Sequence, residues 1–95
     1  MTLQQIRYCL TIAQTGSMNR AAEQLYVTQP ALTGAIQELE QEVGVTIFNR
    51  TNRGVTLTND GRRFLHYARQ IYQQYELMEQ EYLKPKKRIF GVSTQ

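Results

Sequence analysis

The chain has 95 residues, 41% hydrophobic and 20% charged, with a formal net charge of +3 and a pI of about 9.2. That is room for one small domain with a core, and it excludes a disordered chain. One cysteine excludes an internal disulfide, and short, interrupted apolar runs exclude a signal peptide or membrane span, so a cytoplasmic protein is expected.

Thr2 to Gln14 reads as a first helix. Thr2 and Gln5 have the spacing of a capping box. Leu3, Ile6, Cys9, Leu10 and Ala13 form its apolar stripe, so Cys9 is expected to be a small buried hydrophobe. Gly16 suits the position after a helix end, and Ser17 then caps a second helix, Met18 to Leu25. Met18, Ala21, Ala22 and Leu25 lie on one face of it.

Tyr26-Val27-Thr28 makes a tight turn into a third helix. Thr28 is its N-cap, and Pro30 falls in the first turn, where a missing amide hydrogen costs nothing. Leu32, Ala35, Ile36, Leu39 and Val43 face the core. The opposite face carries Gln29, Pro30, Thr33, Gly34 and Gln37, small or uncharged, while Glu38, Glu40 and Glu42 lie in the distal half. An ordinary solvated face would be dense in Lys and Glu. A short, polar, uncharged face on the second helix of a helix-turn-helix suits the DNA major groove, where Gln meets adenine edges and Thr or Pro a thymine methyl.

Val45 to Thr58 changes character. β-Branched and aromatic residues flank the turn-forming group Thr51-Asn52-Arg53-Gly54, which predicts a two-stranded hairpin. Ile47, Phe48 and Leu57 are expected to face the helices, with Arg50 and Arg53 outward. This is the wing of a winged helix-turn-helix, and an arginine at its tip can enter a minor groove. The charge distribution agrees: from Val43 to Arg69 there are Arg50, Arg53, Arg62, Arg63 and Arg69 against Asp60 alone.

Thr58 caps a fourth helix with Asp60 near its positive end, running to about Leu83 before Pro85. At about 1.5 Å per residue it is roughly 39 Å long, more than so small a domain can cover. Phe64, Ala68, Ile71, Tyr75, Met78 and Tyr82 form a heptad seam, flanked by Leu65, Tyr72 and Leu83. Its early part is expected to pack on the first helix, and its later part, beyond about Ile71, on the same helix of a second chain. The expected organisation is therefore residues 1–58 as the DNA-binding unit, 59–84 as a dimerisation helix, and 85–95 as a hinge and the start of a further domain, with Ile89 to Val92 as its first strand.

Catalysis has no support. His66 is the one histidine, no Cys-His cluster has metal-ligand spacing, and Ser17 and Ser93 lack a base-orienting partner. No cofactor or metal is expected in this fragment.

Residues Ala21 to Gly61 resemble the N-terminal DNA-binding domain of LysR-type transcriptional regulators. The resemblance is carried by Ala21, Ala22, Leu25, Thr28, Gln29, Ala31, Leu32, Thr33, Ile36, Leu39, Glu40, Gly44, Phe48, Arg50, Leu57, Thr58 and Gly61, and extends over about residues 2–92. Ile47 stands in for a leucine. So many positions at fixed spacing make a specific signal.

The resemblance implies a mainly α fold: a three-helix core, a two-stranded β wing and a long C-terminal linker helix. It implies a transcription factor that binds promoter DNA as a homodimer, often as a tetramer, and a C-terminal domain that senses a small-molecule co-inducer. It implies that Gln29, Pro30 and Thr33 meet bases and nearby phosphates, with Arg50 and Arg53 in the wing; beside these, Ser17 and Thr28 can donate to phosphates, and Ala31, Gly34 and Gln37 complete the expected DNA-binding set. Gly34 stands where many relatives carry a larger polar or basic residue, which shifts specificity to Gln29, Pro30 and Gln37. A molybdate-responsive regulator is an alternative owner of the same domain. A winged helix used for protein–protein contact is another, but it calls for an apolar face.

Overall fold

The structure, a computed structural model, describes residues 1–83. The expected hinge and the expected strand Ile89 to Val92 lie outside the described residues. In order, the elements are α1 (Leu3–Thr15), α2 (Met18–Leu25), α3 (Gln29–Val43), β1 (Phe48–Thr51), β2 (Gly54–Leu57) and α4 (Asn59–Tyr82).

Local chemistry sets the helix ends. The Thr2 hydroxyl accepts from the Gln5 amide, and the Gln5 side chain accepts from the Thr2 amide, a complete capping box. Ser17, Thr28 and Thr58 cap α2, α3 and α4 by accepting from the amides of Arg20, Ala31 and Gly61. The first helix lies one residue later than the sequence predicts, because Thr2 and Gly16 are its caps.

The turn between α2 and α3 holds a feature the sequence pattern did not show. Tyr26, not a glycine, takes the left-handed position, at φ 58°, and its side chain is 93% exposed. A bulky residue there costs about 1–2 kcal/mol. The Val27 amide donates to the Ala22 carbonyl, and the Tyr26 amide to the Glu23 carbonyl, which closes the turn.

The core gathers around α1, which touches α2, α3, α4 and β2. Ile6, Cys9, Met18, Ala21, Ala22, Leu32, Ile36, Leu39, Ile47 and Leu65 are buried. Tyr8 and Ile12 are buried as well, although they lie off the predicted stripe, while Leu10 and Ala13 are only half-buried. A helix with neighbours on several sides buries more than one stripe. Cys9 is fully buried, and desolvation pushes its thiol up to about 12, with the Glu40 carboxylate acting in the same direction.

β1 and β2 pair antiparallel, with Phe48 opposite Leu57 and Arg50 opposite Val55. Contacts to backbone amides at two points help fasten the hairpin to the helices. The Val55 amide donates to the Gly16 carbonyl at 3.0 Å. The Glu40 carboxylate, on α3, accepts from the amides of Ile47 at 2.7 Å and Phe48 at 3.2 Å. Gly54 is needed at the first contact, since a Cβ there would lie 2.4 Å from the Gly16 carbonyl oxygen.

α4 leaves the hairpin and runs past α1, giving a body 54 × 25 × 20 Å. Along its seam Ala68 is buried, and Phe64 and Tyr75 are half-buried. Ile71, Met78 and Tyr82 are 46%, 55% and 63% exposed, and Leu77 beside them is 50% exposed. Leu3 of α1 lines one open groove with Ile71, Tyr75 and Met78.

Candidate nucleic-acid interface

The N-terminal half of α3, the start of α2 and the hairpin share one side of the molecule. Ser17, Asn19, Gln29, Arg50 and Asn52 line a groove of about 240 Å³ between them. Next to it, Thr33, Gln37, Glu40 and Arg50 line a second hollow of about 230 Å³, floored by Met18, Ile36 and Phe48. Arg50 belongs to both.

The first turn of α3 presents Thr28, Gln29, Pro30 and Ala31, all exposed. Thr33 is half-buried, and Gly34 and Gln37 are exposed. A Cβ on Gly34 would meet nothing within 4 Å, so open space lies where a larger side chain would stand. The positive end of the α3 dipole points out at this turn, which favours an anion there.

Arg50 and Thr33, apart by 17 in sequence, are joined directly: the Arg50 Nη2 donates to the Thr33 Oγ1 at 2.7 Å. Arg53 stands at the hairpin turn, exposed and outside both hollows, with its amide donating to the Thr51 hydroxyl. Among the described residues no arginine forms an ion pair; the recorded pair joins the Met1 ammonium to the Glu42 carboxylate. The Glu40 carboxylate, which lines the same hollow as Arg50, is engaged by the Ile47 and Phe48 amides.

Most of the predicted contact residues thus come together. Asn19 and Asn52 also line the groove but were not picked out from the sequence. Their signal was position, Asn19 in the first turn of α2 and Asn52 beside Arg53 in the hairpin turn.

Comparison with known proteins follows this geometry. Residues 3–62 match the family described as bacterial regulatory helix-turn-helix protein, lysR family. The HTH-type transcriptional regulator ClcR of Pseudomonas putida is 43% identical over 77 residues, covering 81% of this chain and 26% of that protein. The RuBisCO operon transcriptional regulator of Allochromatium vinosum is 39% identical over 80 residues, 84% of this chain and 26% of that protein. The chain therefore spans about a quarter of the length of these relatives.

Solved structures agree. A CbnR_DBD–DNA complex superposes with a TM-score of 0.79 at 36% identity, over 85% of this chain and 93% of that one. A BenM_DBD/catB site 1 DNA complex gives 0.81 at 32% identity, over 97% of this chain and 99% of that one. With the family pattern matched across the helices and hairpin that build this face, the chain belongs to the lysR family of bacterial regulatory helix-turn-helix proteins.

Proposed function

We propose that the chain is the DNA-binding part of a transcriptional regulator that reads double-stranded promoter DNA as a homodimer. The N-terminal half of α3 enters the major groove, with Gln29, Pro30, Thr33 and Gln37 meeting base edges and Ser17 and Thr28 meeting phosphates. The hairpin carries Arg53 into the neighbouring minor groove. The observation that carries this reading is the pairing of an uncharged polar helix face with arginines that form no ion pair among the described residues. A face built for protein partners would be apolar at its centre.

In this reading residues 1–58 bind DNA and 59–84 form the linker helix, whose exposed seam residues Ile71 and Met78 pair with a second copy. Tetramer formation and response to a small-molecule co-inducer belong to sequence outside the described residues. The protein acts in the cytoplasm and performs no catalysis, in keeping with relatives named as transcriptional regulators.

Titrating the chain against promoter duplex at several salt concentrations tests the proposal. A dimer neutralising about six to eight phosphates gives a slope of log K against log salt near −6. Binding that ignores salt would overturn it. Gln29→Ala should weaken the cognate site by roughly 1–3 kcal/mol while leaving unrelated DNA almost unchanged. Equal losses on both duplexes would remove Gln29 from base readout. Arg53→Ala should weaken binding to both and make the salt slope shallower by about 1 for each bound copy. An unchanged slope would show that the hairpin tip stands clear of the phosphates.

A further inference from the structure

We propose that Arg50 biases the hydrogen-bond character of Thr33, making this threonine a preferential donor to base-edge acceptors in the major groove. The inference rests on the DNA-reading proposal above and deepens it: Arg50 acts here as a positioning residue, through Thr33.

A threonine inside a helix ordinarily gives its hydroxyl hydrogen to the carbonyl four residues back. This chain shows that habit twice. Thr11 donates to the Arg7 carbonyl at 2.9 Å and Thr15 to the Thr11 carbonyl at 3.0 Å. Thr33 departs from it. Its only recorded side-chain hydrogen bond among the described residues is the one it accepts from Arg50, at 2.7 Å.

The sense of that bond follows from chemistry. A guanidinium has donors and no acceptor, whereas a hydroxyl has one hydrogen and two lone pairs. Arg50 therefore occupies one of the two lone pairs of Thr33, which leaves one accepting site and the hydroxyl hydrogen and tilts the group toward donating to an acceptor outside the protein. The charge on the guanidinium also polarises the O–H and strengthens it as a donor.

A free threonine reads bases poorly, because it can donate or accept as the base requires. Tilted toward donating, it favours edges that offer acceptors, such as the N7 and O6 of guanine or the O4 of thymine. It disfavours the amino group of cytosine.

The surrounding backbone holds the pair in register. Arg50 sits opposite Val55 in the hairpin ladder, not at the loose tip. Two residues earlier, the Phe48 amide is clasped by Glu40 of α3, the helix that carries Thr33. The strand bearing the arginine and the helix bearing the threonine are thereby fixed to each other.

Selection from a pool of random-sequence duplex DNA tests this, using the 95-residue chain and four variants: Thr33→Val, Thr33→Ser, Arg50→Met and Thr33→Val with Arg50→Met. Thermal melts check that each variant folds. Thr33→Val should flatten the base preference at one or two positions of the selected site, by roughly fivefold or more. Arg50→Met should flatten the same positions, and the double variant should flatten them no further. Thr33→Ser should keep the preference. If Arg50→Met lowers binding uniformly and leaves those positions unchanged, or if its effect there adds to that of Thr33→Val, the coupling is overturned. A wild-type chain that enriches no sequence at all would overturn the DNA-reading proposal, and the coupling with it.

Discussion

Replacing Met78 with glutamate should raise the dissociation constant of the dimer by 100-fold or more, about 3 kcal/mol, as read by sedimentation equilibrium. The reason lies in how the seam of α4 divides. Ala68 is buried on the chain itself, but Ile71 and Met78 are each about half exposed, on a helix of 24 residues. A folded domain rarely leaves large apolar side chains stacked along one helix face without a partner. Covering the exposed half of each contributes about 1–1.5 kcal/mol. A carboxylate in their midst both removes that gain and must be desolvated, once in each copy.

DNA binding should fall with the dimer. Two linked half-site contacts gain a factor of about 10² to 10⁴ over one, from effective concentration alone. Met78→Glu should therefore lose about that factor on a palindromic duplex and almost nothing on a single half-site. Gln73→Glu, which adds the same charge at an exposed position off the seam, is the control and should stay dimeric. A wild-type chain that sediments as a monomer at high micromolar concentration would refute the pairing.

The parts of this fold that the sequence made legible are those set by neighbours a few residues apart. Thr2 with Gln5, Ser17, Thr28 and Thr58 mark the helix starts, because a cap acts within one turn. The hairpin was readable from Thr51-Asn52-Arg53-Gly54 for the same reason. Burial on α1 was less readable: Tyr8 and Ile12 are covered because several elements surround that helix, which its own periodicity does not encode. In the candidate site, the exposed residues of α3 were legible from what they lack, namely charge. The bond between Arg50 and Thr33 and the Glu40 clasp were not, because each depends on where the hairpin folds back. Tyr26 was misleading locally, since a left-handed turn residue is usually sought at glycine or asparagine.

Gly61→Ala should destabilise the fold by about 2–4 kcal/mol, although the change places a better helix former inside a helix. On propensity alone, alanine would gain about 1 kcal/mol over glycine. The tertiary contact opposes it. A Cβ at position 61 would lie 2.0 Å from the Ile47 carbonyl oxygen and 2.9 Å from its carbon. Those atoms are backbone, so they cannot swing aside as a side-chain end could. The Ile47 carbonyl is also in use: it accepts from the Thr58 amide at 3.0 Å and lies 3.3 Å from the Thr58 hydroxyl. Thr58 in turn caps α4 by accepting from the Gly61 amide at 2.8 Å. Pushing α4 away from Ile47 therefore strains the cap, the strand entry and the fully buried Ile47 side chain together. Overpacking costs about 1–3 kcal/mol, and disturbing two hydrogen bonds about 1 kcal/mol each, against the gain of about 1. Gly34→Ala separates the two effects. It sits in the interior of α3 with nothing within 4 Å of its would-be Cβ, so it should stabilise the chain by about 0.5–1 kcal/mol. Urea melts of both variants beside the wild type decide the matter. If Gly61→Ala is stabilised as much as Gly34→Ala, the close approach of α4 to the Ile47 carbonyl does not exist in solution, and the hairpin is not anchored to the helices in the way described.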